Sequence, residues 1–132
     1  IVEKETGISA ERPRIAGVFV NRLRLGMRLQ SDPTVVYGLT NGRYPLDREI
    51  TKSDLRLKTA YNTYRIDGLP PGPITNPGRA SILAVLNPAS TGDLYFVADG
   101  TGGHAFSDTL KGHLRNVQRW RNIERIRRKR VN

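Results

Sequence analysis

Four of the chain's eight prolines fall within residues 68–78, Gly-Leu-Pro-Pro-Gly-Pro-Ile-Thr-Asn-Pro-Gly. Proline has a fixed φ and no amide hydrogen, so neither a helix nor a paired central strand can run through this stretch. The chain must cross it as a stiff connector. A stiff loop loses little entropy when a ligand docks, so the same stretch suits the wall of a cleft.

Before this loop the pattern is mainly helical. Residues 9–25 read as a helix with Ser9 as cap and Pro13 in the first turn. Ile15, Val18, Phe19 and Leu23 form its apolar stripe, Arg12, Arg14, Asn21, Arg22 and Arg24 lie off it, and Gly26 ends it. Arg22 could reach a substrate, but an arginine in its place on an amphipathic helix is usually solvated. Met27-Arg28-Leu29-Gln30 alternates as a short strand does. Asp32-Pro33 reads as an N-cap followed by Pro at the first helical position. Residues 39–58 read as a surface excursion, with a turn at Thr40-Asn41-Gly42-Arg43 and one capped helical turn at Thr51–Leu55.

After the loop, Asn76 and Pro77 open a helix over 77–87, which Ile82, Leu83, Val85 and Leu86 give a buried character. Asp93–Ala98 is a strand, 99–103 a Gly-rich turn, and His104-Ala105-Phe106 the returning arm of a hairpin. Ser107 or Asp108 caps a last helix with the stripe Leu110, Leu114, Val117, Trp120, Ile123 and Ile126, expected to fray beyond Ile123. At 132 residues the chain makes one domain. The expectation is an α+β fold: a small, mostly antiparallel sheet packed with three to four helices. Residues 1–124 form its body and 125–132 a basic C-terminal tail.

The net charge of +10 suggests a nucleic-acid binder until it is located. Residues 111–130 hold nine of the 22 Lys and Arg and one acid, a net of +8, which leaves +2 for the rest. A nearly neutral body without a basic recognition motif argues against nucleic acid as partner. The sequence contains no Cys, which excludes disulfides and thiolate metal sites. His104 and His113 have no metal-binding spacing. No metal and no cofactor is therefore expected. No run is long and apolar enough to span a membrane. The chain opens on Ile1 inside what reads as the end of a helix, so it is expected to be a piece of a longer protein with any targeting segment upstream.

The candidate chemistry begins at Ile1-Val2-Glu3-Lys4-Glu5-Thr6-Gly7. A carboxylate near a helix end, beside apolar neighbours, can have its pKa raised by burial and act as an acid. Equally, Glu3 and Glu5 fit solvated helix charges. Gln30, just ahead of the Asp32 cap, has no local structural reason and is a candidate ligand contact. Asp32 is either cap or functional group. In Ala60-Tyr61-Asn62-Thr63-Tyr64 two aromatics flank an amide and a hydroxyl, which suits sugars and N-acetyl groups; a half-buried strand fits as well. Pro71 and Asn76 belong to the stiff wall. His104, where a Gly-rich turn meets a strand, either faces the pocket or sits on an edge.

Taken in order, Ile1–Thr6, Asn21-Arg22-Leu23, Met27–Gly38, Ala60–Tyr64, Gly68–Ile74, Asn76-Pro77-Gly78, Tyr95–Gly100 and Gly103–Phe106 resemble the endolytic murein transglycosylases, the YceG-like (MltG) family. The resemblance runs from Ile1 to about Val117. It implies a bacterial enzyme that cuts peptidoglycan glycan strands between N-acetylmuramic acid and N-acetylglucosamine, leaving a 1,6-anhydromuramoyl end. It further implies a catalytic domain in the periplasm behind an inner-membrane anchor, with peptidoglycan synthases as candidate partners. The family's anchor and small LysM-like subdomain have no counterpart in these residues. The family's single essential glutamate falls within Glu3-Lys4-Glu5-Thr6. The stretch also resembles the helix-ending glutamate motif of other lytic transglycosylases, an apolar pair, two polar residues, Glu and then Ser or Thr; that register implies Glu5, with Glu3 as supporting or alternative carboxylate. The resemblance makes Gln30, Asp32, Tyr61, Asn62, Thr63, Tyr64, Pro71, Asn76 and His104 candidates for holding sugar and N-acetyl groups. Two rival readings stand beside it: a muramidase-type hydrolase that pairs Glu5 with Asp32, and a non-catalytic glycan-binding module.

Overall fold

In the computed structural model, which describes residues 1–131, six α-helices surround one β-hairpin. Helix α1 (Val2–Glu5) leads through a 3-10 turn (Ser9–Glu11) into α2 (Arg12–Arg24). Then come α3 (Asp32–Thr40), α4 (Lys52–Arg56), α5 (Arg79–Leu86), β1 (Tyr95–Ala98), β2 (His104–Ser107) and α6 (Leu110–Val131). The fold is α+β, and the two strands pair antiparallel in the register Tyr95↔Ser107 to Ala98↔His104.

The core forms where α2 meets its neighbours. Ile15, Ala16 and Phe19 of α2 cluster with Val2, Leu29 and Ala84, and Ile1, Phe96 and Phe106 pack against them. Phe19 meets Phe96 edge-on at 5.8 Å, a favoured aromatic geometry. Gly17 lets residue 89 close on α2: an added Cβ would stand 2.6 Å from the Ala89 carbonyl oxygen. Through this core α1, with both early glutamates, is fixed against α2 and α5.

Several boundaries move from their expected places. Ser9 does not cap α2; the helix starts after Glu11 without a side-chain cap, and the Ser9 hydroxyl accepts a bond from Arg12. Asp32 is not the N-cap of α3 but its first residue, with Ser31 in the cap position. Gly78, not Asn76, stands at the N-cap of α5. The Thr109 hydroxyl accepts the Gly112 amide and so takes the capping role expected of Ser107 or Asp108. Residues 27–30 and 60–64 form no strand. Leu29 does turn inward, but its segment has no partner ladder, and Gln30 leaves the extended region at φ 51°.

Two helices bury less than their composition suggests. In α5 the small residues Ser81 and Ala84 face inward, while Ile82, Leu83, Val85 and Leu86 are exposed. The small residues let α5 lie close against α2, which turns its large side chains out. Along α6, Val117, Trp120 and Ile123 are half-buried, but Leu110, Leu114 and Ile126 are exposed. This helix does not fray beyond Ile123. It continues to Val131, held on the hairpin turn by Arg127, which donates to the Gly100 carbonyl at 2.6 Å and covers the Trp120 ring. Asn132, the end of the expected tail, lies outside the described residues. None of the described helices is long and apolar enough to cross a membrane.

Candidate active site

The two early glutamates lie on one short helix and meet opposite surroundings. One Glu3 oxygen accepts the Gly78 amide at the start of α5, and the other pairs with Arg12 at 3.3 Å. The Gly78 bond first, and then the Arg12 charge, hold the Glu3 pKa below the usual carboxylate range. It is an ionised anchor between α1, α2 and α5.

Among the described residues the Glu5 carboxylate has one hydrogen-bond donor. The Ser31 hydroxyl donates to its Oε1 at 2.6 Å. Burial raises the Glu5 pKa, and the negative charge of Asp32 adds to the rise; the Ser31 bond and the positive side of His104 oppose it, and the balance is upward. A carboxyl held in this way keeps its proton to higher pH than an ordinary Glu and can give it to a ligand.

Ser31 is placed by a buried network. Its amide donates to Thr63 Oγ1 at 2.9 Å. Thr34 Oγ1 donates to the Ser31 carbonyl at 2.6 Å and lies 2.8 Å from Thr63 Oγ1. The one hydroxyl proton of Thr34 is spent on Ser31, so Thr63 must be the donor in the Thr63–Thr34 bond. Asn62 locks the other side, giving its amide to the Leu55 and Leu57 carbonyls and accepting the Tyr64 amide. Asn62 and Thr63 are both fully buried. Neither presents an atom to a sugar; they are the frame on which Ser31 and Tyr64 stand.

Tyr64 donates its hydroxyl to Asp32, and burial first, then that bond and charge, push its pKa well above the ordinary phenol value. Asp32 is exposed and lines an open groove of about 1140 Å³ together with Lys4, Tyr37, Arg43, Pro73 and Asn76. The groove is at least as large as the sites that usually hold a whole small ligand. Asp32 therefore joins the groove to the Glu5 carboxylate. Tyr61 packs on Tyr37, ring centres 4.5 Å apart, and its hydroxyl backs Gly72 of the stiff loop. Pro71 and Asn76 are exposed on that loop. The excursion 39–58 closes the far side through Arg43, Tyr44 and Arg48.

Gln30 is exposed, with its amide on the Thr63 carbonyl and its side-chain oxygen 3.5 Å from Arg22. A left-handed φ costs a residue with a Cβ about 1–2 kcal/mol, and such strain gathers at functional sites. Gln30→Gly should therefore raise unfolding stability by about 0.5–1 kcal/mol once the extra chain entropy of glycine is subtracted. Urea denaturation checks this, and an unchanged or lower midpoint contradicts the strain.

Arg22 was expected in solvent and is buried. It donates to the Leu94 carbonyl at 2.7 Å and the Arg28 carbonyl at 2.9 Å, and its guanidinium lies 5.1 Å from the Tyr95 ring centre. It thus ties the hairpin to the segment that carries Gln30 and Ser31. His104 gives its backbone amide to Glu11 Oε1, and its Nδ1 lies 2.8 Å from Glu11 Oε2. Ser31, Glu11 and Arg22 were not separable by sequence pattern. Ser31 is one small hydroxyl beside a Pro-containing helix start, and Glu11 reads as an ordinary acid of a first helical turn. Among the described residues no group of His, Asp and Glu is placed to hold a metal ion.

Residues 1–119 match the YceG-like family. The chain belongs to that family. Over 120 residues this YceG-like chain is 43% identical to an endolytic murein transglycosylase of Bacillus subtilis, covering 91% of the chain and 32% of that protein. It is 37% identical to an endolytic murein transglycosylase of Streptococcus pneumoniae, covering 89% of the chain and 22% of that protein. A crystal structure of a yceG-like protein from Listeria monocytogenes superposes with a TM-score of 0.79 at 45% identity, over 86% of the chain and 36% of the Listeria chain. The YceG-like chain therefore spans about a third or less of the length of these curated relatives.

Proposed function

We propose that this YceG-like domain is a lytic transglycosylase that cuts the β-1,4 bond between N-acetylmuramic acid and N-acetylglucosamine in peptidoglycan, with Glu5 as acid and then base. One observation carries the reading. Of two carboxylates two positions apart, Glu3 is lowered in pKa and tied to Gly78 and Arg12, whereas Glu5 is raised in pKa by burial and accepts the Ser31 hydroxyl, beside Lys4 and Asp32, which line the groove. The relatives named endolytic murein transglycosylase supply the substrate class.

The reaction needs one proton in two directions. Glu5 gives its proton to the glycosidic oxygen as the bond from that oxygen to the muramoyl C1 breaks. Positive charge developing at C1 is met by the substrate's own N-acetyl oxygen and by the Tyr64–Asp32 pair. The Glu5 carboxylate then takes the proton of the C6 hydroxyl, and the C6 oxygen closes on C1 to form the anhydro ring. Glu5 finishes protonated, and neither water nor metal nor cofactor enters the balance. Gln30 and His104 face the reacting sugars, Tyr61, Pro71 and Asn76 form the wall, and Asn62 and Thr63 hold Ser31 and Tyr64 in place. Residues 1–124 act as the catalytic domain and 125–132 as the basic tail. The whole protein works in the bacterial envelope, anchored in the inner membrane upstream of Ile1 with this domain in the periplasm, beside peptidoglycan synthases.

Asp32 gives the hydrolase reading a specific foothold, since it is a second carboxylate beside Glu5. Mass analysis of glycan fragments decides between them. Digestion of purified peptidoglycan by the longer protein should give ends lighter by one water than hydrolysed ends. Reducing ends would establish a muramidase, and no cleavage at all would leave a glycan-binding module.

A further inference from the structure

We infer that the outer face of α6 is a docking surface for an anionic phospholipid bilayer, separate from the groove beside Glu5. All nine Lys and Arg side chains from Lys111 to Arg130 are exposed on this helix. Arg127 is spent on the Gly100 carbonyl, and Arg125 donates to Asn122 at 3.2 Å. Among the described residues no carboxylate makes an ion pair with any of the nine. Lys111, Arg115 and Arg119 stand four apart, as do Arg121, Arg125 and Lys129. Like charges at that spacing lie side by side on a helix and repel. Cations in a last turn complement the carbonyl end of the helix, which accounts for Arg128, Lys129 and Arg130. That effect fades within one turn, so it gives no reason for the rows that begin at Lys111 and Arg121.

Four of these cations converge. Arg121, Arg125, Arg128 and Lys129 surround an open concavity of about 690 Å³, with Glu124 as its one acid. It shares no residue with the groove that Asp32 lines. The four lie past residue 119, where the family match ends. A cluster of this kind draws phosphate groups to it. The neighbouring side chains decide which phosphates. Leu110 and Leu114 are 54% and 57% exposed. They precede Arg121 by eleven and seven residues, close to whole turns at about 3.6 residues per turn, so they share its line along the helix. Exposed leucines in line with arginines suit the boundary between lipid headgroups and acyl chains. On a soluble polyanion they would find nothing to bury against. The other side of α6, with Val117, Trp120 and Ile123 half-buried, packs on the hairpin. The helix is thus held in place with its leucine and arginine line turned outward.

The test is sedimentation of this chain with vesicles of equal parts phosphatidylglycerol and phosphatidylcholine, against vesicles of phosphatidylcholine alone. The chain should bind the anionic vesicles and leave the neutral ones. Salt at about 1 M, where the screening length is about 3 Å, should release it. Arg121→Gln, Arg125→Gln, Arg128→Gln and Lys129→Gln should each weaken binding about fivefold, which is about 1 kcal/mol per basic group at such a surface. Glu124→Gln should strengthen binding by a similar factor, a gain that misfolding cannot imitate. Leu110→Gln combined with Leu114→Gln should weaken binding to the anionic vesicles but not to soluble polyphosphate. Equal binding to both kinds of vesicle overturns the docking surface, as does unchanged binding when all four cations are replaced together. If polyphosphate or duplex DNA binds as tightly as the anionic vesicles and the leucine variant behaves as wild type, the face belongs to a soluble polyanion and the bilayer is overturned as its partner.

Discussion

Glu5→Gln should lower glycan cleavage by about 10²–10⁴-fold, the usual contribution of a positioned acid or base, and it should do so without loss of fold. Glutamine keeps the shape and can still accept the Ser31 hydroxyl, but it has no proton to lend. The same variant should melt higher than the wild-type chain at neutral pH. Burial raises the Glu5 pKa in the folded state, so the native chain binds this proton more tightly than the unfolded chain does. Ionising Glu5 therefore costs stability above the ordinary carboxylate range, and the cost vanishes below it, where both states are protonated. The melting gap between variant and wild type should close as pH falls through that range. Glu3→Gln is the matched control. Its amide oxygen can still accept the Gly78 amide and only the Arg12 ion pair is lost, so cleavage should stay within a fewfold of wild type. Release assays of labelled peptidoglycan and thermal melts from acid to neutral pH measure both. Wild-type cleavage by Glu5→Gln, or its loss in Glu3→Gln, would remove Glu5 from the chemistry.

The sequence made the frame legible where local chemistry decides it. The Pro13 helix, the αL turn at Asn41, the capping box of Thr51 and Asp54, and the Tyr95–Ser107 hairpin all follow from residues within one turn of each other. It misled where a side chain's fate depends on distant chain. Arg22 sits on the polar side of α2 by helical spacing, yet the carbonyls of Leu94 and Arg28 come to it and bury it. The apolar residues of α5 turn outward because the smaller Ser81 and Ala84 are what fit against α2. The candidate site behaves alike. Motif register alone prefers Glu5 to Glu3, and it gives no sign of the Gly78 and Arg12 bonds that occupy Glu3. In Ala60–Tyr64 the residue types promised sugar contacts throughout. Folding divides them: Tyr64 reaches Asp32, while Asn62 and Thr63 go inside.

That division gives the second large effect. Thr63→Val preserves shape and β-branching and deletes only a hydroxyl, yet that hydroxyl sits at the centre of the support under Ser31. The Ser31 amide loses its acceptor and Thr34 loses a donor, in a place without solvent. Leaving buried polar groups unpaired costs about 1–3 kcal/mol each. The amide counts nearly in full; the Thr34 oxygen counts less, since it still accepts the Thr63 amide at 3.2 Å. The expected loss is therefore about 2–3 kcal/mol, or roughly 6–15 °C in Tm for a domain of this size. Function should suffer beyond stability. At a temperature where the variant is fully folded, kcat should fall while KM changes little, because the groove wall is intact and only the donor to Glu5 is loosened. Ser31→Ala should reproduce the fall in kcat with a smaller drop in Tm, since its backbone amide keeps Thr63. Equal Tm for Thr63→Val and wild type would mean the network does not hold Ser31, and the placement of Glu5 would then rest on α1 packing alone.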